Sequence, residues 1–257
     1  MRIKRYGWAP DPPDHRDLKF NLSRAARGAL PPTVDPRANQ PPIRDQGDLG
    51  SCTGHGMAAT LECGNLRNGE PPVSLSRLMA YYNARRLDGT TAYDAGSSIR
   101  SVVKAAARWG CCPEDCWPYD IAKFAEQPSR RCYSEARSSL VLKYERVVQD
   151  RDALRAVLAA GLDIVFGFTV YESFEDEYTA RTGIVRMPGR GEHAISGHCV
   201  RAIGYTEVAL PDIPARHFIC ANSWGAGWGL AGYFALPYEY MISDDLAADF
   251  WVVKKVA

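Results

Sequence analysis

The feature that most constrains this chain is a change of texture near Lys143. Before it, apolar residues recur at spacings of three and four, and after it come short strand-like runs cut by glycine, proline and turn residues. Helices are predicted over 53–67 (Met57, Leu61 and Leu66), over 74–86 (Leu75, Leu78, Met79 and Tyr82 on one face) and over 97–109 (Ile99, Val102, Val103 and Ala106). Asn68-Gly69 and Gly110 supply helix exits. One more helix, over 150–160, precedes strands predicted over 163–170, 198–205, 217–222, 232–236 and 250–256. A helix-rich first half and a strand-rich second half predict an α+β protein with segregated lobes.

The first 42 residues read differently. They hold eight of the 17 prolines and carry eight basic against four acidic side chains, a local charge of 8 − 4 = +4. Proline fixes φ and removes a backbone donor, so this segment is predicted to be an extended arm. Its basic start has no apolar stretch behind it and does not read as a secretory signal. Asn21-Leu22-Ser23 matches a glycosylation acceptor, to which no weight is attached without such a signal. The longest apolar run, 157–171, is interrupted by Asp163 and is too short to cross about 30 Å of hydrocarbon. These two readings predict a protein that is cytoplasmic or exported without a cleaved signal.

Over the whole chain, 31 Lys+Arg face 30 Asp+Glu, a net charge of +1, which argues against a nucleic-acid partner. With 46% hydrophobic and 24% charged residues, disorder as the main state is also excluded.

The residues from Arg44 to His55 (Arg-Asp-Gln-Gly-Asp-Leu-Gly-Ser-Cys-Thr-Gly-His) form a glycine-rich loop running into a helix that starts close to Cys52. A thiol there meets unpaired backbone donors and the positive end of the helix dipole, both of which favour the nucleophilic thiolate. His198 follows 198 − 52 = 146 residues later, and Asn222 lies 222 − 198 = 24 residues beyond it, in Asn-Ser-Trp-Gly-Ala-Gly-Trp-Gly. With Gln46 six residues before the cysteine, this order resembles that of the papain-like cysteine peptidases, specifically the short-arm kind found in bacteria. The match covers most of the chain from about Pro41 onward.

The resemblance implies a two-lobe fold, with a helical lobe over 43–148, an antiparallel barrel-like β lobe over 149–257, and an active-site cleft between them. It further implies a cysteine endopeptidase with peptide or protein substrates, acting as a monomer without cofactor, metal, nucleic acid or membrane. Cys52 and His198 would form a thiolate–imidazolium pair, Asn222 would orient the imidazole, and Gln46 with the Cys52 N–H would stabilise the oxyanion. Trp224 would shield the Asn222–His198 contact and Trp228 would line the leaving-group side. Gly50, Ser51, Gly96, Ser97 and Gly197 would border the substrate. Two departures stand out: Leu49 and Asp94 occupy places where the family often has a disulfide, and Thr53 replaces an aromatic residue.

Competing readings are weaker. His55, His193 and His217 lack such context, and exposure or a satisfied hydrogen bond is expected for each. Residues 227–232 match a dinucleotide-binding glycine pattern, but a strand and not a helix is expected next. A non-catalytic binding protein on the same fold is a further alternative. Cys111, Cys112, Cys116 and Cys132 are candidate metal ligands, but they offer only the pair Cys112 and Cys116 with no second pair near Cys132, so a disulfide from Cys112 or Cys116 to Cys132, or free thiols, is expected instead. The arm carries Tyr6, Trp8 and Phe20 and is predicted to lie against the cleft and restrict access.

Overall fold

The computed structural model describes residues 6–22 and 29–254. These form two compact units, one of residues 6–15, 46–144 and 253–254, the other of 16–22, 29–45 and 145–252. Elements are numbered in chain order.

The first unit is built on helices α1 (Cys52–Arg67), α2 (Arg77–Asp88) and α3 (Ile99–Trp109). Helix α1 is buried along most of its length, including Met57, Ala58, Leu61 and Cys63. It packs backbone to backbone on α2, because a Cβ on Gly54 would stand 2.6 Å from the Arg77 carbonyl oxygen. A buried ion pair, Arg77 to Glu62 at 3.0 Å, joins the same helices, and Glu62 also accepts the Leu75 N–H at 2.7 Å. That second bond matters, since a buried charge is tolerated only with its hydrogen-bonding capacity met. Ser76 caps α2 by accepting the Met79 N–H, and Ser98 caps α3 by accepting the Ser101 N–H. Helix α4 (Arg130–Glu135), capped by Ser129, has only six residues, too few to show a period in sequence.

The second unit holds α5 (Arg151–Ala159), capped by Asp150, the short helices α6 (Glu177–Thr182) and α7 (Tyr238–Met241), and most of an antiparallel sheet. Its strands are β1 (Thr33–Val34), β2 (Lys143–Arg146), β3 (Ile164–Tyr171), β4 (Ala194–Thr206), β5 (His217–Ala221), β6 (Tyr233–Pro237) and β7 (Ala247–Lys254), in the order β2-β7-β3-β4-β5-β6 with β1 on β4. The sheet is open, with β2 and β6 at its edges, so the barrel-like expectation is refined to an unclosed sheet. Strand β4 is the spine. It begins at Ala194, before the apolar alternation starts, because its first residues are held by pairing with β3 (Ser196 with Val170, Gly197 with Thr169) and not by burial. Phe166, Phe168, Phe174, Phe218, Phe234 and Trp251 are fully buried side chains of this unit.

The arm is paired chain. In the second unit, Phe20 N–H donates to the Arg146 carbonyl at 2.8 Å, Arg146 N–H donates to Leu18 at 2.7 Å, and Thr33 pairs with Thr206. Gly204 permits that pairing, since a Cβ there would lie 2.1 Å from the Val34 carbonyl oxygen. Residues 1–5 and 23–28 of the arm, with Ser23 of the acceptor tripeptide, lie outside the described residues, as does Val256 of the last predicted strand.

Candidate active site

In the first unit the loop before α1 brings Gln46, Gly50, Ser51 and Cys52 together. Cys52 is the first residue of the 16-residue α1, with Ser51 as N-cap, and is fully buried. Its sulfur therefore sits at the end of the helix where partial positive charge accumulates. The Gln46 side-chain amide donates to the Leu49 carbonyl at 2.8 Å, which fixes its orientation.

Two residues outside the predicted catalytic and substrate-binding set hold this loop. The Tyr119 hydroxyl donates to the Gln46 carbonyl at 2.8 Å and lies 2.6 Å from Ser51 Oγ. Asp94 accepts the Gly50 N–H at 3.1 and 3.2 Å and the Tyr81 hydroxyl proton at 2.5 Å. The Tyr81 oxygen in turn accepts the Gly96 N–H at 2.9 Å. Hydrogen bonds thus tie the loop before α1 to the Gly96–Ser97 turn. Burial, reinforced by Asp94, pushes the Tyr81 hydroxyl far up, so it remains a donor. No spacing rule could have found these partners, because they are 68 and 44 residues from the positions they serve.

The Gly96–Ser97 turn is occupied by the arm. Ser97 N–H donates to the Gly7 carbonyl at 2.7 Å and Ala9 N–H donates to the Ser97 carbonyl at 3.2 Å, a parallel bridge centred on Trp8. Asp11 then accepts the Arg100 N–H at 2.8 Å. The contact requires glycine. A Cβ on Gly7 would lie 1.7 Å from the Gly50 carbonyl oxygen, and one on Gly96 would lie 2.4 Å from that of Gly7.

In the second unit β4 carries His198, fully buried, opposite Phe168 in the register with β3. Its Nε2–H donates to Asn222 Oδ1 at 2.9 Å, and that oxygen also accepts the Ser223 N–H at 2.8 Å. The Trp224 ring stacks on the imidazole at 5.2 Å and 28°. Phe174, which the sequence did not mark, packs edge-on against Trp224 at 5.3 Å and lies 5.4 Å from Trp228. Gly197 pairs with Thr169 beside His198. Burial pushes the imidazole down to about 4, against the upward effect of the Asn222 bond. With the Nε2 proton engaged by Asn222 Oδ1, Nδ1 is the basic nitrogen of the neutral ring.

The other candidates fall as their contexts suggest. His55 Nδ1 donates to the Ser51 carbonyl at 3.1 Å, one turn back on α1. His193 is exposed, 3.7 Å from Glu172, and His217 Nδ1 donates to the Ala215 carbonyl at 2.8 Å. The glycine pattern at 227–232 runs directly into β6, so no helix receives a pyrophosphate there. Among the described residues no disulfide joins any cysteine, while Cys112, Cys116 and Cys132 converge with their sulfurs all within 4.8 Å of one another. No helix of the described residues is long and apolar enough to cross a membrane.

A profile of the papain family of cysteine proteases matches residues 30–246. The crystal structure of xylellain, a cysteine protease from Xylella fastidiosa, superposes with a TM-score of 0.88 at 35% identity, covering 100% of this chain and 99% of that one. An uncharacterized peptidase C1-like protein of Acanthamoeba polyphaga mimivirus is 38% identical over 221 residues, 82% of this chain and 69% of that protein. Cysteine proteinase 3 of Entamoeba histolytica is 25% identical over 220 residues, 84% of this chain and 66% of that protein. The chain therefore spans about two thirds of the length of these last two relatives.

Proposed function

We propose, for a chain that belongs to the papain family of cysteine proteases and is a cysteine endopeptidase, that Cys52 is its nucleophile, His198 its general acid and base, and Asn222 the residue that orients the histidine. The observation that carries this reading is the Nε2–H bond to Asn222 Oδ1, which assigns the tautomer and leaves Nδ1 as the working nitrogen. A ring as buried as His198 is neutral at neutral pH by itself, so a protonated ring needs a nearby negative charge. The Cys52 thiolate supplies it once the thiol proton has passed to the ring.

The thiolate attacks the scissile carbonyl carbon, forming the C–S bond and placing negative charge on the carbonyl oxygen. The Cys52 N–H and the Gln46 side-chain amide stabilise that oxyanion. Collapse breaks the C–N bond as His198 protonates the departing amine, leaving a thioester. His198 then takes a proton from water, hydroxide displaces the thiolate, and the acid product leaves. Trp224 keeps solvent from the Asn222 contact, Trp228 lines the leaving-group side, and Gly50, Ser51, Gly96, Ser97 and Gly197 border the peptide.

Ser97 offers an N–H and a carbonyl to an extended chain, and both are taken by residues 7 and 9. The arm therefore competes with substrate for the same backbone groups and restricts turnover until displaced or cut. The substrate is a peptide or protein, and the enzyme works as a monomer without nucleic acid or membrane. The test is substitution of the nucleophile. Cys52→Ala should abolish both peptide hydrolysis and labelling by a thiol-reactive epoxide, and residual turnover in that variant would remove the assignment.

A further inference from the structure

We propose that Cys112, Cys116 and Cys132 form a binding site for a thiophilic divalent cation, Zn2+. The three sulfurs lie within 4.8 Å of one another, and Cys116 Sγ is 3.4 Å from Cys132 Sγ. Three thiolates placed tetrahedrally about 2.3 Å from one zinc stand about 3.8 Å apart, so small side-chain rotations bring these sulfurs into coordination distance. A disulfide would use two of the three thiols and leave the third packed against it without a role. A metal uses all three.

The surroundings fit a soft cation. Cys112 and Cys116 flank a turn in which Cys116 N–H donates to the Pro113 carbonyl at 3.1 Å, the knuckle the sequence offered without a second pair. The missing ligand arrives with α4, where Cys132 is held by Ser129, whose Oγ accepts the Cys132 N–H at 3.3 Å and lies 3.2 Å from its sulfur. The Met79 side chain and Ala136 complete a buried cluster with Cys112 and Cys132, and Trp117 and Tyr133 pack on it. No carboxylate or imidazole belongs to this donor set, which selects against magnesium or calcium. Cys116 is half-buried, giving one open direction from which water completes four-coordination. Three thiolates and Zn2+ leave a net charge of −1, smaller in magnitude than the −2 a monovalent ion would leave.

The site has a structural consequence. The loop between Cys116 and Cys132 contains Tyr119, the residue that holds Gln46 and Ser51. Coordination at both ends of that loop restricts it in the folded state, so the metal stabilises the start of α1 without taking part in the chemistry.

The experiment uses the full chain in a Cys52→Ala background, which removes the reactive thiol as a competing ligand. Protein reduced with a phosphine, loaded with Zn2+ and desalted should retain about one zinc per chain by elemental analysis. Co2+ in its place should give the charge-transfer absorption of a cobalt–thiolate complex. A further Cys116→Ser change should lower zinc to less than a tenth and remove that band, while Cys63→Ser should change neither. The cobalt spectrum requires no change at the site, so it stands if Cys116→Ser fails to fold. Zinc below a tenth of an equivalent with the three thiols reduced, a cobalt spectrum without thiolate bands, or a cystine among these residues in anaerobically isolated protein would each overturn the proposal.

Discussion

Gly7→Ala should activate the enzyme. The added Cβ would be placed 1.7 Å from the Gly50 carbonyl oxygen and 2.4 Å from its carbon, and both belong to backbone that cannot rotate away. Restoring a separation of about 3 Å requires a shift of about 1.3 Å, beyond what packed backbone accommodates in place. That shift would stretch the 2.7 Å bond from Ser97 N–H to the Gly7 carbonyl to about 4 Å and break the 3.2 Å bond from Ala9 N–H. Two backbone hydrogen bonds at about 1 kcal/mol each amount to about 2 kcal/mol, or about 30-fold in the population of arm-displaced enzyme. If the arm-bound form dominates, kcat/KM for a short fluorogenic peptide should rise by up to that factor. The assay compares initial rates in reductant, normalised to sites titrated with an epoxide inhibitor. Gly64→Ala is the control, since a Cβ there meets nothing within 4 Å. An unchanged or lower kcat/KM in folded Gly7→Ala protein would refute the competition between arm and substrate.

Asp94→Ala removes the acceptor shared by the Gly50 N–H and the Tyr81 hydroxyl and should lower the unfolding free energy by about 2–4 kcal/mol, with Asp94→Asn recovering more than half. Denaturant titration measures this, and a loss below about 0.5 kcal/mol would show that the tie is not structural. Asn222→Ala should lower kcat/KM about 10- to 100-fold with little change in KM, the cost of about 1.5–3 kcal/mol for a hydrogen bond to the charged imidazole; steady-state kinetics with equal values for the two proteins would contradict the orienting role. Stability should also fall with acid. The folded His198 is held at about 4 while an unfolded histidine titrates near 6.5, so between those values the unfolded chain binds the extra proton. In a Cys52→Ala background, where no thiolate compensates, up to about 3 kcal/mol should be lost from pH 6.5 down to 4 and no more below it. Melting curves should show this loss disappear on adding His198→Gln, and persistence of the full slope would assign it to other groups.

Much of the helical unit was legible because its signals are local. Apolar spacing marked α1, α2 and α3, and Asn68, Gly69 and Gly110 marked the ends of α1 and α3. The short elements α4, α6, α7 and β1, of six residues or fewer, carry no period; side-chain caps hold α4 and α6, and pairing with β4 holds β1. Strand β4 was underestimated at its start because its exposed first residues are held by β3. At the candidate site, residue types were readable and their supports were not. Cys52 at a helix start and Asn222 before Ser223-Trp224 are written in neighbouring residues, whereas Phe174 reaches Trp224 only through the packing of the β unit.

What the sequence determined by itself was therefore the chemistry available: a thiol at the start of α1, an imidazole on a strand, and an amide followed by tryptophan. Backbone propensity and side-chain type act over one or two turns, and these assignments need no longer range. The tertiary structure decided which groups hold that chemistry in place. It set Asp94 between Gly50 and Tyr81, brought Tyr119 to Ser51, joined Cys132 to Cys112 and Cys116, and laid Gly7 against Gly50 and Ser97. Each is a contact between residues far apart in the chain, fixed by close packing of whole elements, and close packing leaves no local trace in sequence.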